Sequence, residues 1–482
     1  MFQLFLCKST VYKKSLIVII LLLLLFSTVA MAYSNDTVFV EDEKSEYSLG
    51  ERLEYLEDKE GKWGIDDIAS ESFSGQWVSH SKKTVGLGYT NSVYWFRVSL
   101  KNIASIPKDF ILALEANSLD LIDIYYIDVS LTETNGKILR HFNTGDSYSF
   151  DQRPFKYRNF VFPVTLSPQE DIQVYVRVKS SGIIFFPLNL MEKKAFLQKA
   201  QFELFAYGFL FGIMVAMILY NLIIYFIVKE SSYLYYVFFV FFNTFYLLDL
   251  LGFSYQYIWP NAIWLRKDLF LFAGALTFIF GILFTIRFLE IKNRSPILYR
   301  IAQFFNFIWI GIFFFLFINP SIIISFFLFF VLLTCVFGLI IGIWMWIKGF
   351  TAARYFTIAW SILIIGAFLF ISEVLGLVPS CFLATYSQQI GTAVQVILLS
   401  FALADRINQE RNEKHEARLE TLNLATKISQ ERKEKIEAQQ KALINEKAAR
   451  EAKEKALEIQ LRATEMLELK VKERTRELQK AL

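Results

Sequence analysis

The chain has 482 residues, of which 55% are hydrophobic and 50 are phenylalanines, and its mean hydropathy is +0.39. An ordinary soluble protein carries far fewer aromatic side chains, so this composition indicates a membrane protein with soluble parts. The formal net charge is only +4, and bases alternate with acids in the C-terminal segment, which excludes the basic footprint of a nucleic-acid-binding protein. The three cysteines, Cys7, Cys335 and Cys381, form no metal-binding motif, so we expect neither disulfides nor a bound metal or other cofactor.

Residues 1–32 have the pattern of a secretory signal peptide. Three lysines precede an apolar run at 16–26, and the small-residue motif Ala-Met-Ala ends at Ala32. We expect cleavage after Ala32. An uncleaved anchor is the alternative, but the apolar run is shorter than the roughly twenty residues that span a membrane.

Residues 33–200 alternate between apolar and polar side chains, which is typical of half-buried strands. The clearest example is 172–178, where every second residue is Ile or Val. The same pattern, with Asn, Gly and Pro clusters between the runs, predicts strands at 94–100, 110–114, 121–126 and 160–166. Strands at this spacing without intervening helical periodicity predict a β-sandwich domain.

Residues 201–404 form long apolar stretches that predict a bundle of seven transmembrane helices. The predicted spans are 205–228, 234–251, 269–286, 301–318, 322–347, 355–375 and 384–403. An exported N-terminal domain followed by seven crossings places the C-terminus in the cytoplasm. The predicted inner loops agree with this topology because they hold Lys229, Arg287, Lys292, Arg294, Arg300, Lys348 and Arg354. Arg266 and Lys267, at the outer start of the third span, are exceptions.

Residues 405–482 contain neither Gly nor Pro and are mostly Ala, Glu, Lys, Leu, Arg and Gln. Glu precedes a base by four residues at several places, for example Glu451 and Lys455, which favours a solvated helix. Apolar residues recur at a rough three-four spacing towards the C-terminus. This pattern predicts an α-helical coiled coil that joins two copies of the chain.

Several motifs resemble a known family. They are the YN pair and the SYLYY opening in the first two spans, YSQQIGTAVQVILLSFALADRINQER at the seventh, and SVYWFRVSLKN, TGDSYSFDQRPFKYRNFVFPVTL and VYVRVKSSG before the bundle. The chain resembles the bacterial seven-transmembrane receptors with diverse intracellular signalling modules. The resemblance implies a periplasmic jelly-roll domain, similar to carbohydrate-binding modules, and a cytoplasmic module such as a histidine kinase or diguanylate cyclase. The sequence to Leu482 has no motif of such a module, and its KVKERTRELQKAL ending resembles the linker that precedes one.

Candidate ligand-binding residues in the periplasmic domain are Trp77, Trp95, Arg97, Asp146 and Arg153. An aromatic ring covers the apolar face of a sugar, and charged groups bind its hydroxyls. The structural alternative is that Trp95 is a core residue and that Asp146 pairs with Arg153 to hold a loop. A cation site that includes Asp120, Asp123 and Asp128 is a weaker alternative, because the oxygen-ligand spacing of an EF-hand is missing.

Two acids, Asp249 and Glu373, lie near the outer ends of predicted spans. Ionisable groups at that depth usually face a bundle interior or a watery pocket, although these two are close enough to the interface to be simply hydrated. His415 superficially resembles a kinase phosphoacceptor, but no partner motif accompanies it, so we interpret it as a solvated residue and expect no catalytic residue.

We therefore expect a multi-pass inner-membrane receptor rather than an enzyme. Its expected partners are a periplasmic carbohydrate or other small molecule, membrane lipid, a second copy of the chain, and a cytoplasmic signalling protein or fused output domain. Two alternatives remain: a sensor kinase or cyclase whose catalytic domain lies beyond this sequence, and a transporter or channel. A transporter favours ionisable residues or broken helices at mid-membrane, and these spans are mostly Phe, Leu and Ile there.

Overall fold

A computed structural model of the chain describes residues 37–128, 137–318, 320–374, 377–378 and 381–481, so the predicted signal peptide lies outside the described residues. The chain divides into two compact units, Met1–Ala404 and Asp405–Leu482. The described part of the first unit contains a β domain followed by long apolar helices, and that of the second is helical throughout.

The β domain contains all five strands that the sequence predicts. Its strands are β1 (Thr37–Val40), β2 (Glu46–Ser48), β3 (Glu54–Asp58), β4 (Val78–Ser79), β5 (Val85–Tyr89), β6 (Val93–Asn102), β7 (Lys108–Leu114), β8 (Leu121–Asp128), β9 (Lys137–Thr144), β10 (Phe160–Leu166), β11 (Asp171–Lys179), β12 (Ile183–Phe186) and β13 (Leu188–Glu192). The larger sheet has the order β4-β3-β6-β11-β8-β9, with β1 parallel to β6. The smaller sheet has the order β10-β7-β13-β2, and β12 pairs with β5.

The two sheets pack face to face because each buries one side of its strands. Alternate residues of β6 and β11 point inward, including Phe96 and Val176. They share one core with Phe110 and Leu112 of β7 and with Phe162 of β10. Side chains alternate across a strand, so the period-two pattern of the sequence becomes one apolar face on each sheet.

Seven helices are long and apolar enough to cross a membrane, which confirms the predicted number of spans among the described residues. They are α1 (Lys193–Val228), α2 (Ser231–Leu250), α3 (Ile263–Phe288), α4 (Pro296–Phe315), α5 (Pro320–Ile347), α6 (Ala353–Val374) and α7 (Phe382–Ala481). Helix α1 begins inside the segment 33–200, which the sequence assigned to the β domain. Its first turns pack Phe196 and Ala200 against the smaller sheet, so they form part of the domain contact.

The β domain rests on the connection between α2 and α3. The Asn117 amide donates to the carbonyl of Leu250 at 2.8 Å. The Ser149 hydroxyl bonds the side chain of Asn261 at 2.7 Å. These contacts fix which ends of the helices face the β domain.

Basic residues lie at the opposite ends of the helices. Arg287, at the end of α3, is 3.9 Å from Glu230, between α1 and α2. The Arg294 guanidinium lies 4.4 Å from the centre of the Phe350 ring, between α5 and α6. Three connections therefore meet on one side and carry the bases that the positive-inside rule assigns to the inner face.

Polar contacts hold the first part of α7 inside the bundle. The Asn221 amide of α1 and the Ser400 hydroxyl are 2.9 Å apart, and the Tyr236 hydroxyl of α2 donates to the Val396 carbonyl at 2.7 Å. Gln395 is fully buried. These contacts place the first part of α7 in the interior of the bundle.

Candidate functional site

The outer face of the larger sheet carries three of the five predicted ligand-binding residues. The Arg97 guanidinium lies 4.4 Å from the centre of the Trp77 ring and forms an ion pair with Glu54. Trp95 is 0% exposed and stacks on Tyr125 with 6.1 Å between ring centroids. Trp95 therefore belongs to a small core under this face and presents no ring to a ligand.

Asp146 and Arg153 lie elsewhere, where the β domain meets the helices. Their side chains are 3.8 Å apart and almost fully buried. The Arg153 guanidinium also lies 4.2 Å from the centre of the Phe160 ring and 5.4 Å from that of Tyr255, in the connection between α2 and α3. The pair thus holds a loop against the membrane domain, and it does not join the tryptophans in one site.

The three aspartates of the alternative cation site do not converge either. Asp123 accepts from Asn143 at 2.7 Å and lies 3.4 Å from Arg177, whereas Asp120 accepts from the Ser181 hydroxyl at 2.6 Å. Within the described ranges, no group of three or more His, Cys, Asp or Glu side chains could hold a metal ion.

A cleft opens between the smaller sheet and the outer ends of α1, α2, α6 and α7. Its volume is about 600 Å³, which is in the range of small-molecule sites. We call it the outer cleft. Its charged lining residues are Glu46, Lys83, Glu115, Arg158, Lys199, Glu203 and Glu373.

A buried ion pair forms one side of the outer cleft. Arg158, before β10, lies 2.6 Å from the Oε2 atom of Glu203 in α1, and each side chain is 9% exposed. The Tyr157 hydroxyl donates to the same oxygen at 2.8 Å, and the Tyr386 hydroxyl of α7 donates to Oε1 at 3.2 Å. The Glu203 carboxylate therefore joins the β domain, α1 and α7.

Burial and charge fix the protonation of the groups around Glu203. Burial alone would lower the pKa of Arg158, but Tyr207 and Glu203 raise it overall, so the guanidinium stays charged. Burial raises the pKa of Tyr157, and the charge of Glu203 raises it further. Tyr157 therefore remains a hydroxyl that can donate to the carboxylate.

A second attachment beside this pair is mostly apolar. Phe196 of α1 packs with Ile111 of β7 and Val161 of β10 in one buried cluster. Lys199, one turn further along α1, forms an ion pair with Glu115 at the end of β7. The start of α1 is thus attached to the smaller sheet by both apolar packing and charge.

The opposite wall contains one of the two acids that the sequence singled out. The Oε1 atom of Glu373 in α6 accepts from the Thr385 hydroxyl of α7 at 2.7 Å. One turn further along α7, Gln389 is 8% exposed, and its Oε1 atom makes no hydrogen bond with any residue that the structure describes. Asp249 does not line the cleft and instead accepts from the Ser254 hydroxyl beyond the end of α2.

Most of the outer cleft could not be found from the sequence. No sequence motif distinguishes Arg158 or Glu203, although Glu203 is an acid next to an apolar span. A charge at such a position usually needs a partner of opposite charge, and this is the feature of the sequence that could have identified Glu203.

Two family descriptions match the chain. The description "7TM diverse intracellular signalling" matches residues 203–406, and "7TMR-DISM extracellular 2" matches residues 50–192. No curated protein matches the chain with significant similarity.

Proposed function

Because the chain belongs to the seven-transmembrane receptors with diverse intracellular signalling, we propose that it senses a periplasmic ligand and passes the change through α7 to a cytoplasmic output. It is a multi-pass membrane protein with an extracellular N-terminal domain. The positive-inside distribution of Lys and Arg supports the inner membrane as its location and the cytoplasm as the side of its C-terminus.

The observation that carries this proposal is the position of Glu203 between the β domain and α7. Its two carboxylate oxygens bind Arg158 and Tyr386, so a shift of the β domain changes the contacts of α7. A ligand shifts an equilibrium between two arrangements only if it binds one of them more tightly. A ligand that bridges the β domain and the helices in the outer cleft satisfies that condition.

The second unit supplies an apolar stripe that suits a second copy of the chain. Six exposed apolar residues there are separated by multiples of seven positions: Leu422, Ile436, Leu443, Leu457, Val471 and Leu478. Polar residues (Ser429, Arg450 and Thr464) occupy the three intervening positions of the same register. Such a heptad stripe is buried when two helices form a coiled coil. In this proposal the coiled coil delivers the change to a separate cytoplasmic signalling protein or to a fused output domain, and residues 405–482 transmit the change without catalysing a reaction.

Hydrogen exchange of the full-length protein in nanodiscs tests the coupling without a known ligand. The variant Tyr386→Phe removes one hydroxyl between α7 and Glu203 and keeps the ring. We expect faster amide exchange in residues 382–404 and altered exchange in 405–481. Tyr220→Phe is the matched control, because Tyr220 of α1 is half exposed and does not line the cleft.

The proposal fails if Tyr386→Phe changes exchange only in the β domain and leaves α7 as it is in the control variant. It also fails if both variants change α7 equally, because the effect would then not depend on the contact with Glu203.

A further inference from the structure

Among the described lining residues of the outer cleft, two acids, Glu46 and Glu373, form no ion pair. The described lining residues include four acids and three bases, an excess of one negative charge. Arg158 pairs with Glu203 and Lys199 with Glu115, whereas Glu46 and Lys83 are exposed at the rim. The remaining acid is Glu373, whose Oε2 atom makes no hydrogen bond with the described residues.

A buried acceptor lies next to Glu373. Thr385 and Gln389 are four residues apart on α7, so their side chains are neighbours on one face of the helix. Because Thr385 binds the Glu373 carboxylate, the free amide oxygen of Gln389 is about one turn away from it. A buried acceptor without a partner costs free energy, and a ligand that donates a hydrogen bond removes that cost.

Aromatic and apolar side chains complete this wall. The Phe382 and Tyr386 rings have centroids 5.1 Å apart, and Phe370 of α6 also lines the cleft. Aromatic faces attract cations and cover apolar surface. The wall thus offers a carboxylate and aromatic rings to the same ligand, and a half-turn of the Gln389 amide is needed to present its enclosed oxygen to that ligand.

We propose that the outer cleft binds a protonated amine, with Glu373 and Gln389 accepting its N–H groups. A primary ammonium carries three donors and one positive charge, which complements both acceptors. This inference rests on the proposed receptor function and names the chemistry of its ligand. The amine comes either from a free periplasmic compound or from the headgroup of an outer-leaflet lipid, since the cleft borders the outer ends of the helices.

The test uses the full-length protein in nanodiscs of phosphatidylglycerol, which has no amine. Ethanolamine and glucosamine are titrated while the unfolding temperature is measured, with ethylene glycol and glucose as neutral counterparts. We expect stabilisation by the amines alone. In a second arm, nanodiscs of phosphatidylethanolamine replace phosphatidylglycerol, and stabilisation by this lipid identifies the headgroup as the source.

Two variants locate the site. Glu373→Gln keeps the shape of the side chain and removes its charge, and we expect it to weaken amine binding by about tenfold or more. Gln389→Met removes the acceptor and is expected to weaken binding by a few-fold. The control Glu60→Gln changes an exposed carboxylate of the β domain and should leave amine binding unchanged.

Three results would overturn the inference: equal stabilisation by the neutral counterparts, an unchanged amine affinity in both cleft variants, or no stabilisation in either arm. These outcomes are separate from failure of the receptor proposal. If Tyr386→Phe alters exchange in 405–481 but no amine binds, the coupling stands and the ligand class is wrong. If amines bind through Glu373 and α7 does not respond, the site stands and the coupling is wrong.

Discussion

Replacing only one residue of the Arg158–Glu203 ion pair should strongly destabilise the folded protein. The variants are Arg158→Met and Glu203→Met, made singly and together. Each single variant leaves one charge in a site where both side chains are 9% exposed. Removal of one partner of a buried pair costs about 3–5 kcal/mol, because the remaining charge loses its counter-charge.

The double variant should be milder than either single one. It leaves no buried charge, but Tyr157 and Tyr386 lose the acceptor that they share. At about 1 kcal/mol for each net hydrogen bond, the expected cost is about 2 kcal/mol. The double-mutant cycle therefore predicts a large favourable coupling between the two charges.

The assay is thermal unfolding of the full-length protein in detergent. For a domain of this size, 1 kcal/mol shifts the midpoint by about 2–4 °C, so each single variant should lower it by about 6–20 °C. The exposed pair of Lys62 and Glu60 is the control, and Glu60→Gln should cost less than about 1 kcal/mol. If the double variant loses as much as the sum of the single ones, the two charges are not coupled and the reasoning is refuted.

Three further changes test the fold. Gly366→Ala places a Cβ atom 2.5 Å from the Ser387 carbonyl oxygen, so it should separate α6 from α7 and cost about 1–3 kcal/mol in thermal unfolding; an unchanged midpoint contradicts this packing. Trp95→Ala empties a fully buried position and should cost about 3–5 kcal/mol in the same assay, whereas a small loss would indicate that the ring is not core. Leu443→Asp should abolish chemical cross-linking of two copies, and Leu424→Asp, which is off the heptad stripe, should not; equal effects would contradict the coiled coil.

The secondary structure could largely be predicted because its signals are local. The alternation in 172–178 predicts a strand, and the long apolar runs predict membrane-spanning helices. The structure has β11 and the seven helices at these positions. The start of α1 at Lys193 could not be predicted in this way. Its first turns carry Phe196 among lysines, and they face a sheet rather than lipid, so a search for apolar spans does not include them.

The outer cleft could not be predicted because its walls come from distant parts of the chain. Glu115, Arg158, Glu203 and Glu373 become neighbours only when the smaller sheet rests on the helices. The sequence identified Glu373 because an acid near a span is unusual at any position. For Trp95 the difficulty is different. The alternation of the strand predicts on which face of the sheet Trp95 lies, but it does not predict that other residues cover this face.

The apolar and the charged contacts of α1 with the β domain should respond differently to a ligand. The cluster of Phe196, Ile111 and Val161 is apolar and buried, so a ligand in the outer cleft does not change its interactions. The contacts of Glu203 line the cleft, and a bound charge changes their electrostatic energy directly. We therefore expect the apolar cluster to act as the fixed point of any rearrangement and the charged contacts to act as its sensitive side. Because Tyr386 is one of those contacts, we expect such a rearrangement to reach α7 through it.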